Sequence, residues 1–267
     1  MTIRVSKQSG RREFPGLLLV AHGTRRRAGR DEVRQIAKLV GDRLPGVPAV
    51  LGFLELARPT PAEGLERLAA VGVREVVVTP LLLFRAGHAQ RDIPAAAGAA
   101  ASELGIALRH AAPLELHPAI VRLSRDRLRE TLATRERRRP TALVLVGRGS
   151  SDRQAVAAMR RFARLRASQE RGVHVSHCFL ARARPTLDEA LEHAATLPVD
   201  RVVVQPHLLF RGELTESVER ATLAAARRWR DKQWLVAAHL GVSPLVAQAL
   251  VDRFLEAKGR ATHVVRR

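Results

Sequence analysis

The sequence contains no tyrosine, two tryptophans and seven phenylalanines, so aromatic residues make up only 3% of 267. A protein that grips single-stranded nucleic acid by stacking bases on side chains needs more of them. The single cysteine, Cys178, excludes a disulfide framework and a cysteine-built zinc or iron–sulfur site within one chain. Apolar runs end after a few Leu or Val residues, far short of the ~20 needed to span a bilayer. The first 16 residues are basic and carry no apolar stretch, so no secretory signal is expected, and a soluble cytoplasmic protein is. No GxxxxGK[ST] or GxGxxG segment follows a strand-like run, which leaves nucleotide binding without support.

Charge, in contrast, is abundant and one-sided. Lys and Arg total 46 against 26 Asp and Glu, a formal net charge of +20, and all but Lys7, Lys38, Lys232 and Lys258 are arginine. Hydrophobic residues reach 46%, the level of a globular protein rather than a disordered one. A chain so basic attracts polyanions, whether nucleic acid, an anionic surface or a small polycarboxylate.

The chain repeats itself. Residues 17–24 (LLLVAHGT) return as 143–150 (LVLVGRGS), 53–60 (FLELARPT) as 179–186 (FLARARPT), and 76–85 (VVVTPLLLFR) as 202–211 (VVVQPHLLFR). Pro118 and the pair Asp126–Arg127 return as Pro244 and Asp252–Arg253. The offset is 126 residues each time, which means two domain-sized copies. The expected division is a basic arm over 1–16, a first domain over 17–134, a charged linker over 135–140, a second copy over 141–258 and a tail over 259–267.

Within each copy, short continuous apolar runs alternate with helical periodicity. In the first, strands are predicted near 17–21, 47–54, 76–79 and 106–110, and helices near 28–44, 61–71, 92–103 and 118–131. Strands alternating with helices predict an α/β class with parallel, doubly wound sheets covered on both faces.

Such sheets bind ligands beyond the carboxyl ends of their strands. His22 follows the first strand, Glu55 ends the second, and His88 follows the third. The second copy has Arg148, Ala181 and Leu214 at the same places. A structural His or Glu would serve either copy equally, so its presence in one copy alone points to chemistry. Two imidazoles and a carboxylate suit a divalent first-row metal, and the same groups move protons near neutral pH. His174, His177 and Cys178 are read as packing residues, because 174 and 177 point to opposite faces of a strand.

These segments, with Asp92-Ile-Pro94 and the second copy's VGRGSSD (146–152), resemble the class II tetrapyrrole chelatases of the sirohydrochlorin chelatase type, in their long two-copy form. The resemblance covers roughly residues 17–257. It implies two tandem flavodoxin-like domains with the active site in the cleft between them. It also implies insertion of Fe2+ or Co2+ into sirohydrochlorin, and no ATP or other cofactor; of the two metals iron is the preferred expectation. His22 and His88 would handle the metal and take up pyrrole protons, assisted by Glu55. Sirohydrochlorin carries eight carboxylates, and arginine grips carboxylates as a fork. Arg58, Arg85, Arg91, Arg148, Arg184 and Arg211 are candidates for that contact, with His207 and His239 as further ones. Two copies in one chain would make a monomer sufficient.

Two other classes compete. A metal or tetrapyrrole carrier would use the same pocket without turnover. A nucleic-acid-binding protein would use the charge, but the arginines are spread over both copies. The segment LVAHGT (19–24) is also similar to the histidine phosphatases, which have Arg immediately before His-Gly where this chain has Ala21.

Overall fold

A computed structural model describes residues 14–85, 87–132 and 139–259, with the side chains of 87–92 left aside. The expected arm, linker and tail therefore lie largely outside the described residues, as do the side chains of His88 and Arg91.

Sixteen elements alternate along the chain. The first eight are β1 (Gly16–Ala21), α1 (Arg27–Arg43), β2 (Ala49–Phe53), α2 (Pro61–Ala70), β3 (Glu75–Pro80), α3 (Gly87–Glu103), β4 (Ala107–His110) and α4 (Pro118–Thr131). The next eight repeat them: β5 (Thr141–Gly147), α5 (Arg153–Gln169), β6 (Val173–Phe179), α6 (Leu187–Thr196), β7 (Arg201–Pro206), α7 (Glu213–Arg228), β8 (Gln233–Val236) and α8 (Pro244–Gly259). Both sheets are parallel and four-stranded, ordered β2-β1-β3-β4 and β6-β5-β7-β8. That is the doubly wound order, with the direction of winding reversed beside the first strand of each copy.

Continuous apolar runs fill the central strands because both faces of the sheet are covered. Every residue of β1 and of β5 is buried. Leu18, Val20, Val76 and Val78 pack with Leu65 and Leu68 of α2 and Ile93, Ala97 and Ala101 of α3. Local signals set the helix starts. Thr60 accepts from the Glu63 amide while the Glu63 carboxylate accepts from the Thr60 amide, and Thr186 with Glu189 repeats this at α6. The two long helices after β1 and β5 differ. Asp152 caps α5 by accepting from the Gln154 amide at 2.7 Å, whereas Arg26 stands at the α1 cap with no side-chain bond. A cap of that kind contributes about 1 kcal/mol.

The last helix of each copy falls in the compact unit of the other copy's sheet. One compact unit comprises Met1–Leu114 with Ala247–Arg267, and the other Glu115–Val246. Helix α4 thus belongs with the second sheet, and most of α8 with the first. Matching arginines hold them there. Arg127 of α4 donates from Nε to the His239 carbonyl (3.1 Å) and from Nη2 to that of Leu240 (2.8 Å). Arg253 of α8 donates from Nε to Pro113 (3.0 Å) and from Nη2 to Leu114 (3.3 Å). Each pair differs by the 126-residue offset, which accounts for the repeated Asp-Arg of the sequence.

The second unit adds a buried polar cluster. Arg166 of α5 is fully buried, donates from Nε to Ser124 Oγ of α4 at 3.0 Å, and pairs with Glu170. Gln205 of β7 donates to the Ser124 carbonyl at 2.8 Å. Burial pushes the Arg166 guanidinium down, and Glu170 partly restores it. The corresponding positions of the first unit hold Val40, Leu250 and Thr79, all buried.

No helix among the described residues is long and apolar enough to cross a membrane.

Candidate metal-handling site

The carboxyl ends of β1 and β2 bring His22 and Glu55 together. The two chains stay paired past the strand ends: Leu54 donates to the Ala21 carbonyl at 2.9 Å and Glu55 to that of His22 at 3.1 Å. Gly23 then turns away with φ +103°, and a Cβ there would lie 1.8 Å from the Glu55 carbonyl oxygen. Only glycine fits this closeness and this backbone region. His22 Nε2 consequently lies 3.2 Å from Glu55 Oε1, with the two side chains 47% and 52% exposed. An imidazole beside a carboxylate, both open to solvent, can take up a proton, stabilise the resulting charge and release it to water.

The second unit keeps the frame and loses the chemistry. Leu180 donates to the Gly147 carbonyl at 3.0 Å, and Ala181 to that of Arg148 at 3.1 Å. Gly149 has φ +85° and the same 1.8 Å approach, here to Ala181. The side chains on this copied backbone are Arg148 and Ala181.

His88 falls in the first turn of α3, which begins at Gly87, earlier than the start near 92 that the sequence predicts. Its counterpart Leu214 lies in the first turn of α7 and is exposed. Among the described residues no group of three or more His, Cys, Asp or Glu could hold a metal ion. Of the two histidines expected to handle the metal, His22 is described and stands beside Glu55, while the side chain of His88 lies outside the described residues.

The remaining candidates separate. Arg58 pairs with Glu63, and Arg184 with Glu189, in loops of matching form in both copies. Arg85, Arg148 and Arg211 are exposed. His207, named above as a candidate for substrate contact, is buried among protein side chains. It is 2% exposed, its ring lies 4.0 Å from that of Phe162, and burial, then the charge of Arg166, pushes its imidazole down to about 3. Its first-copy counterpart is the core residue Leu81. His239 is half-buried. Cys178 is buried, with its thiol pushed up to about 12 by desolvation and then by Asp188. The rings of His177 and Phe179 meet edge-on at 5.6 Å, and those of His174 and His193 lie 6.2 Å apart.

The family model CbiX matches the chain twice, over residues 16–131 and 142–257. The chain belongs to the CbiX family. Both copies of this CbiX chain match, although only the first carries the His and Glu. A sirohydrochlorin ferrochelatase of Priestia megaterium is 30% identical, over 94% of this chain and 94% of its own length. A sirohydrochlorin cobaltochelatase of the same organism is 28% identical, over 89% of this chain and 78% of its own. SirB from Bacillus subtilis, solved with Fe3+, shares the fold at a TM-score of 0.83, with 24% identity over 92% of this chain and 96% of its own. The tandem α/β architecture is thus the family's.

Proposed function

We propose that this chain inserts Fe2+ or Co2+ into sirohydrochlorin, giving siroheme or cobalt-sirohydrochlorin, and needs neither ATP nor another cofactor. The observation that carries the reading is the His22–Glu55 pair, present in one copy and absent from an otherwise matched backbone in the other. The sirohydrochlorin chelatases among its relatives support it.

The reaction exchanges one divalent metal for two protons on ring nitrogens. It needs a site that holds the metal weakly enough to release it and a base for the protons. His22 supplies an imidazole donor for the incoming metal and an acceptor for a ring proton. Glu55, 3.2 Å away, balances the imidazolium and passes the proton to solvent, to which both groups are open. His88 serves as the second imidazole. The arginines Arg85, Arg148 and Arg211 meet substrate carboxylates. Iron and cobalt ask for nearly the same ligands, so the donor set serves both, and iron is the metal we prefer. The enzyme works in the cytoplasm as a monomer and binds no nucleic acid.

The test is anaerobic mixing of the purified chain with sirohydrochlorin and Fe2+ or Co2+, followed by the tetrapyrrole absorption spectrum. Metallation should run faster than the spontaneous reaction. The acceleration should largely vanish in His22→Ala or His88→Ala. A double variant that inserts metal as fast as the unaltered chain overturns the assignment. Sirohydrochlorin bound tightly but never metallated would favour the carrier reading instead.

A further inference from the structure

Helix α5 and strand β6 of the second unit carry a change that the metal-handling site does not use. On the matching helix of the first copy, Arg34 pairs with Asp31 at 2.9 Å and Lys38 pairs with Asp42 at 2.9 Å. At the 126-residue offset the two cations return as Arg160 and Arg164, whereas the two acids return as Ala157 and Ser168. The cations are kept and their partners are gone. No Asp or Glu occurs anywhere along α5. Arg160 and Arg164 are exposed, and their guanidiniums have neither an ion pair nor a hydrogen bond among the described residues. Like charges four residues apart on a helix repel, so the second copy accepts a local cost that the first avoids.

The strand beneath changes with the helix. Leu51 of β2 is replaced by His177 of β6, an edge strand against which α5 packs. His177 is half-buried, and its Nε2 is buried without a hydrogen-bond partner among the described residues. Desolvation, then the charges of Arg160 and Arg164, hold its imidazole below the usual histidine range. The three groups therefore stand within electrostatic reach of one another, and no carboxylate contributes beside them. Three coordinated changes turn a neutralised, apolar-backed face into one that is cationic and backed by an imidazole. Such breaks of a local rule are expected where a ligand compensates.

We propose that Arg160, Arg164 and His177 form a site for a tetrahedral oxyanion of the sulfate or phosphate kind, free or carried on a small organic molecule. The site lies beyond the metal-insertion reading and does not depend on it. Two guanidiniums one helical turn apart and a ring nitrogen from the strand approach from different directions. Four oxygens in a tetrahedron accept from three such donors at once, whereas a carboxylate offers two oxygens. The anion's charge offsets the repulsion between the arginines and gives the buried ring nitrogen a partner. The two arginine side chains, held by no other group, turn toward it. Arg34 and Lys38 of the first copy are already occupied by Asp31 and Asp42.

The test is calorimetric titration of the full chain with sulfate. The variant A157D/S168D restores the first copy's acids and should weaken sulfate binding at least tenfold. Its melting temperature should stay nearly unchanged, so lost binding is not lost folding. His177→Leu copies Leu51 and should weaken sulfate at least threefold. It should also abolish the tightening expected from neutral to mildly acidic pH, where a bound anion favours the charged ring. Arg160 and Arg164 are the charged groups that act on that ring, and β5 beside it carries none. Inorganic phosphate and glycerol phosphate should both displace sulfate, the tighter of the two telling whether the free ion or a phosphomonoester fits better. Acetate at the same concentration should not displace it. A control that also lowers the net charge by two, R220A/R227A on exposed positions of α7, should change sulfate affinity by less than twofold. Unchanged affinity in A157D/S168D, an equal loss in the control, or displacement by acetate overturns the proposal. So does a tenfold rise in the KM for sirohydrochlorin in A157D/S168D, which would assign these arginines to the substrate's carboxylates. A chain that binds sulfate here but never metallates sirohydrochlorin would sink the chelatase reading alone.

Discussion

The two copies share their backbone far more closely than their chemistry. Gly23 and Gly149 approach Glu55 and Ala181 at the same 1.8 Å, and the capping boxes of α2 and α6 match atom for atom. On this common frame the first copy carries His22, Glu55 and an uncapped arginine turn. The second carries Arg148, Ala181 and a capped Ser-Asp turn. The polar investment of the second copy lies in its interior instead, where Arg166, Ser124, Gln205 and His207 replace Val40, Leu250, Thr79 and Leu81. One copy places its distinctive polar groups in solvent. The other buries them, where Arg166 and Gln205 donate to Ser124 of α4.

The sharpest way to break this comparison is to exchange the site residues. The graft H22R/E55A should lower kcat/KM for metal insertion by about 100-fold or more, the scale of a lost general base, with little change in melting temperature. An active graft would mean that the chemistry lies elsewhere.

The interior contrast comes next. Arg166→Ala leaves Glu170 with Arg125, at 3.4 Å, and empties a fully buried site. It should cost about 3 kcal/mol in urea unfolding, while Val40→Ala at the matching apolar position costs about 1–2 kcal/mol.

His207 supplies a pH-dependent difference. Its imidazole sits at about 3 in the folded chain against an ordinary 6.5. Below pH 6.5 the unfolded chain takes up a proton that the folded chain refuses, so stability falls as the pH drops toward 3. The slope is at most about 1.4 kcal/mol per pH unit. Between pH 7 and pH 5 the unaltered chain should therefore lose about 2 kcal/mol more than His207→Leu, which copies the first unit. Equal losses would mean that the ring is not buried as a neutral group.

The smallest effect is expected where the copies agree. Arg127→Ala and Arg253→Ala each remove two donated bonds to carbonyls on partly buried arginines. Each should cost about 1–2 kcal/mol, and the two costs should be similar. Strongly unequal costs would show that one helix is held mainly by other means.

Much of this was legible beforehand because it is local or periodic. Continuous apolar runs mark strands buried on both faces, and a repeat at 126 residues marks two copies. The contrast of His22 and Glu55 with Arg148 and Ala181 needed only the offset.

The destination of α4 and α8 was not legible. Periodicity shows which face of a helix is apolar, but two nearly identical sheets offer nearly identical partners for that face. Ser124 against Leu250, and the repeated Asp-Arg, acquire meaning only once α5, β7 and the ends of β4 and β8 stand around them. His207 presents the same difficulty. Its place in the motif put it at a strand end, but exposure there is set by the neighbouring helix, and Phe162 covers the ring.

The sequence by itself determined the alternation of elements, the duplication and the residues capable of the chemistry, since these depend on side-chain type and spacing along one chain. The tertiary structure alone decided which helix closes which sheet, which histidine is shut away and how near His22 comes to Glu55. Those depend on packing between segments far apart in sequence, where a few buried polar groups choose among partners that hydrophobic pattern cannot tell apart.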